Sequence, residues 1–87
     1  MENNVVVYGY TGWYAAKPKI DIYIKGELIG QVSYQDKFEF RIEEDCEIEF
    51  KCSVRKTKIK VYKDKKNTIS LEFNRLWGTL NAKYQGE

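Results

Sequence analysis

From residue 20 to residue 73 the chain alternates apolar and polar residues with little interruption, and that period of two constrains its fold more than any other feature. In "KIDIYIK", Ile20, Ile22 and Ile24 point one way, opposite Asp21, Tyr23 and Lys25. In "KFEFRIE", Phe38, Phe40 and Ile42 oppose Glu39, Arg41 and Glu43, and in "CEIEFKCSV" Cys46, Ile48, Phe50, Cys52 and Val54 oppose Glu47, Glu49, Lys51 and Ser53. Ile59 and Val61, then Ile69, Leu71 and Phe73, continue the pattern. Successive side chains of a strand project to opposite faces, so each segment reads as a strand with one dry and one wet face. Helical spacing is not sustained over any ten residues. The chain therefore reads as all-β.

The joints carry turn chemistry. Lys25-Gly26-Glu27 offers a glycine for a positive φ, and Asp64-Lys65-Lys66-Asn67 is a polar four-residue turn. Segments recur at the spacing of small sandwiches and barrels. Face matching predicts a hairpin between residues 38–43 and 47–54, closed by Glu44-Asp45-Cys46. It sets Ile42 against Ile48, Phe40 against Phe50, Arg41 against Glu49 and Glu39 against Lys51, because a one-residue slip would invert every side chain. After Leu28-Ile29, Gly30 marks a place where a bulge would reset the alternation.

At 87 residues the chain makes one domain, residues 1–87. Its core is thin, since a chain of this size hides only about 60% of its unfolded surface. A hydrophobic fraction of 43% beside a charged fraction of 32% belongs to a folded, non-fibrous chain. No apolar run approaches the ~18 residues of a membrane-spanning helix, so this segment is not expected to insert in a membrane. "MENNVVVYGY" is acidic at its start and too short in apolar residues for a secretory signal. The expected location is the cytoplasm if Met1 is the native start, and the cell envelope if the segment is cut from a longer chain.

Histidine is absent, which removes the commonest general base and transition-metal ligand. Two cysteines are too few for a structural zinc site. Cys46 and Cys52, six positions apart on one strand, lie about 20 Å apart, against the roughly 4.4–6.8 Å that a disulfide needs. Neither metal nor cofactor is expected, and no residue is assigned a catalytic role. The acids Glu43, Glu44, Asp45 and Glu47 surround a solvated turn, where nothing desolvates one of them for acid–base work.

Charge is divided along the chain. Residues 36–49 hold seven acids and two bases, residues 55–66 seven bases and one acid, and the overall +2 conceals the split. The basic run "RKTKIKVYKDKK" alternates, so Lys58 and Lys60 fall where solvent-facing residues belong and where they discourage edge pairing. Aromatic interleaving of the kind that stacks bases is limited to Tyr62, and nucleic acid is not the expected partner.

The stretch "YGYTGWYAAKP" crowds Tyr8, Tyr10, Trp13 and Tyr14 between glycines and the only proline. Such rings suit a protein or glycan partner, and equally they cap the open end of a small β domain. Trp77 carries the same two readings, core anchor or surface contact. Tyr10, Trp13, Tyr14 and Trp77 are the candidate binding residues.

Ile22-Tyr23-Ile24-Lys25-Gly26, then Ile29-Gly30, then two strands over residues 38–54, is a strand, a glycine turn, an apolar residue with glycine, and a further strand pair. In this the chain resembles the small bacterial β-sandwich domains of the PEGA kind and a related lipoprotein-associated domain of unknown function. The resemblance implies an immunoglobulin- or prealbumin-like sandwich without catalytic residues, appended to envelope or signalling domains. The expected fold is an antiparallel β-sandwich of about seven strands, with a small open β-barrel as the alternative. The expected function is a non-enzymatic accessory or protein-interaction module, working through aromatic loops or by pairing or self-association at a strand edge. The alternative is a sensory domain holding a small ligand between its sheets.

Overall fold

Eight strands form, six of them, β2 to β7, within the alternating run: β1 (Val5–Tyr8), β2 (Ile20–Ile24), β3 (Glu27–Val32), β4 (Lys37–Phe40), β5 (Cys46–Cys52), β6 (Arg55–Val61), β7 (Asn67–Phe73) and β8 (Leu80–Gly86). They belong to a computed structural model that describes residues 3–11, 18–73 and 79–86. Two four-stranded sheets result, ordered β4-β1-β7-β8 and β3-β2-β5-β6. Neighbours are antiparallel except β1 and β7, which run parallel. The sheets remain separate, so the molecule is a sandwich and not a closed barrel. An immunoglobulin domain keeps its first two strands in one sheet. Here β1 and β2 lie in opposite sheets, which leaves the prealbumin-like arrangement of the two expected.

The dry faces meet as the alternation requires. Val5, Val7, Ile20, Ile22, Ile48, Phe50, Val61, Ile69 and Leu71 are each 1% exposed or less. Ile59 and Phe73 pack half-buried at the margin of this core. Burial of one such side chain contributes roughly 1.5–3 kcal/mol against the entropy of ordering it. Lys25 and Gly26 form the two-residue β2–β3 turn with φ of 52° and 80°, both positive, as a type I′ hairpin demands.

The pairing of β4 differs from the expected hairpin. β4 joins β1, with Val5 against Phe40 and Val7 against Phe38, while β5 lies between β2 and β6. Residues 41–45 therefore cross from one sheet to the other, a gap of ~10 Å that an extended five-residue chain spans easily. Arg41 pairs with Glu43 at 3.0 Å, and Lys51 with Glu49 at 3.4 Å, in place of the predicted cross-strand pairs. Face matching failed because β1 offers the same inward apolar pattern as β5. The bulge falls on β3: Ile22 faces Gly30 and Tyr23 faces Leu28, leaving Ile29 as the extra residue. Gly30 is required by packing, since a Cβ there would stand 2.5 Å from the Phe38 ring.

One end of the sandwich is clasped by two asparagines. Asn4 accepts from the Ile42 amide at 2.8 Å and donates to the carbonyls of Ile42 and Lys63 at 3.0 and 3.1 Å. Asn67, fully buried, donates to the carbonyls of Asn4, Tyr62 and Lys65, and accepts from the Tyr62 amide and the Tyr84 hydroxyl. The clasp ties the start of β1, the 41–45 crossing, the β6–β7 turn and β8 together.

Candidate functional site

Of the four aromatic candidates, the structure describes one. Tyr10 has no exposed surface, packs edge-on to Phe73 with ring centres 4.9 Å apart, and donates its hydroxyl to the Pro18 carbonyl at 2.7 Å. Its ring is closed inside the core against Tyr34 and Phe73, so it offers no face to a partner. Trp13, Tyr14 and Trp77 lie outside the described residues.

The acidic turn also resolves into local pairs. An open groove of about 450 Å³ on the outer face is lined by Tyr23, Lys25, Glu44, Asp45, Cys46 and Lys58 among others. The Lys25 ammonium hydrogen-bonds the Glu44 carboxylate and holds that carboxyl below its usual range, the wrong direction for a general acid. Asp45 accepts from the Lys63 amide at 2.9 Å, a structural task at the β6–β7 turn. Both thiols are free, and burial pushes Cys46 and Cys52 above the ordinary thiol value. Among the described residues no group of three or more thiols and carboxylates is placed to hold a metal ion. No helix among them is long and apolar enough to cross a membrane.

What remains exposed is sheet edge. β3, β4, β6 and β8 end the two sheets, and an edge strand presents unpaired amides and carbonyls to any extended chain. Three of the four carry features that obstruct pairing. β3 is interrupted by the Ile29 bulge, β4 is only four residues long, and β6 bears exposed Lys56, Lys58 and Lys60 at alternate positions. β8 has none of these. It pairs with β7 over all seven residues without a shift, and its single charge, Lys83, is engaged by Glu72 at 3.2 Å. Asn81 and Gln85, the outward residues beside Lys83, are neutral and exposed.

Of these edges the sequence points to β6 alone, through Lys58 and Lys60; the β8 residues were not singled out. The alternation marks "TKIKVYK" as a strand, but whether a strand lies at an edge depends on the order of the whole sheet. No protein-family model, curated protein or solved structure matches the chain.

Proposed function

We propose that this chain is a non-enzymatic protein-interaction module that recruits an extended segment, from a partner or a second copy, onto the open edge of β8. Strand addition satisfies the outward backbone groups of an edge and draws its affinity from main-chain hydrogen bonds. The observation that carries the reading is the contrast between β8 and the other edges: β3 is bulged, β4 short, and β6 closed by its lysines to any strand that is not acidic. The alternative sensory role draws no support from the described grooves, which lie on the surface among charged and polar side chains. Accessory placement beside envelope or signalling domains follows from the PEGA-type resemblance alone.

Residue-resolved amide hydrogen exchange tests the edge. In the isolated protein every second amide of β8 should exchange fast while those bonded to β7 exchange slowly. Association should slow the fast set, and N81K/Q85K, which builds a three-lysine ladder with Lys83, should prevent it. Uniform slow exchange along β8 in the monomer would overturn the proposal.

A further inference from the structure

The second open edge, β6, has a chemistry of its own. Lys56, Lys58 and Lys60 stand on the outward face of β6, all exposed, and none has a carboxylate within ion-pair distance among the described residues. On the inner side β5 sets Glu47 opposite Lys60 and Glu49 opposite Lys58 in register, while Glu49 makes its ion pair with Lys51. On the other side no described strand is hydrogen-bonded to β6, although β8 of the opposite sheet runs close beside it. Thr57 and Ile59, between them, turn half-buried toward the core margin.

We infer that β6 is the docking edge for an extended protein segment that alternates carboxylate and apolar residues. Alternate residues of a strand repeat every ~6.8 Å, so three carboxylates on an incoming strand fall opposite the three lysines in one register. The apolar residues between them then turn toward Thr57 and Ile59. The chain already contains a partial version on the occupied side: the "EIE" of β5, Glu47-Ile48-Glu49, sets acids on Lys60 and Lys58 and Ile48 on Ile59, while Lys56 faces Lys51. The same lysines bar a second β6 edge, because antiparallel self-pairing brings like charges within reach across the strands. One feature thus repels copies and selects acidic strands, which is how specificity is gained by repulsion as well as attraction. The site is a different strand from β8, whose edge lies beside it at the same flank of the sandwich.

Ten-residue peptides of alternating glutamate and valine, of glutamine and valine, and of lysine and valine test the assignment, with amide exchange of β6 and β8 as the readout. The glutamate peptide should slow alternate β6 amides and bind about 3- to 150-fold tighter than the glutamine peptide, from three opposed charge pairs. The difference should vanish in K56Q/K58Q/K60Q, whose substitutions are all at exposed positions, and shrink with added salt. Equal binding of the glutamate and glutamine peptides would overturn the inference. So would glutamate binding that protects β8 alone or no strand, the first of which would leave the β8 proposal standing. Tighter binding of a ten-nucleotide oligothymidine than of the glutamate peptide, lost in the same triple variant, would assign the lysines to nucleic acid instead.

Discussion

Asn67→Ala is expected to be among the most damaging polar substitutions in this domain. The side chain makes five polar contacts, at 2.9, 2.8, 3.1, 3.1 and 2.5 Å, at a fully buried position; its two amide hydrogens serve three carbonyls, so one of them is shared. A net contribution of roughly 0.5–1.5 kcal/mol per bond, over the four that an amide can make in full, sets an upper range of about 2–6 kcal/mol. The Tyr62 and Asn4 backbone groups are part-buried and recover some of this from water, which brings the expected loss to about 2–4 kcal/mol. A chain of this size has a total stability on the order of 4–13 kcal/mol, so the loss is a large share of the whole. At about 4–8 °C per kcal/mol for a domain of this length, the melting temperature should fall by roughly 10–30 °C. Urea unfolding followed by tryptophan fluorescence gives the free energy, and calorimetry the melting point. Tyr84→Phe removes only the 2.5 Å bond to Asn67 and should cost about 0.5–1.5 kcal/mol, so a graded response remains measurable if Asn67→Ala does not fold. Because the two residues share that bond, their losses should be less than additive. A cost for Asn67→Ala below about 0.5 kcal/mol would refute the clasp as a stabilising element.

Gly30→Ala sets a Cβ within 2.5 Å of the Phe38 ring and should cost about 1–3 kcal/mol, but markedly less when Phe38 is already alanine; equal costs in both backgrounds would contradict the proposed contact. Burial raises the folded-state thiols of Cys46 and Cys52 and the hydroxyl of Tyr84, the last aided by nearby Tyr62. Each group holds its proton more tightly folded than unfolded, so this stability is complete below the unfolded thiol value of about 8.5 and is lost as pH rises through the folded values. Denaturant midpoints should be flat from pH 7 to 8 and fall above about pH 9, and iodoacetamide at pH 7 should modify both cysteines slowly; a thiol titrating below its unfolded value would reverse the sign.

The strands were legible because alternation is a local property, visible within five to seven consecutive residues such as Ile20–Ile24 or Cys46–Cys52. Pairing was not, because the rule that inward residues face inward residues cannot distinguish two neighbours with the same apolar pattern. Phe38 and Phe40 satisfy it against Val7 and Val5 as well as against Cys52 and Phe50. Asn4 and Asn67 were invisible as a pair since asparagine is common at any turn, and only the fold brings residues 63 positions apart into contact. Tyr10 shows the converse, a ring whose glycine-rich setting reads as loop but which is buried against Tyr34 and Phe73, out of step with the alternation of Val5 and Val7.

The division of charge along the chain acquires its meaning from strand order. The acidic and basic halves meet where β5 and β6 pair, so that Glu47 and Glu49 face Lys60 and Lys58 in register. Had β6 been an interior strand, a second neighbour could have answered its lysines from the other side. It is an edge strand: Lys58 and Lys60 have an acidic neighbour on one side alone, and Lys56 faces Lys51. A net charge of +2 carries none of this information. The relevant quantity for recognition is the local, one-sided excess of positive charge along β6, a linear array at the spacing of an extended chain, which favours a strand-shaped acidic partner over a diffuse polyanion.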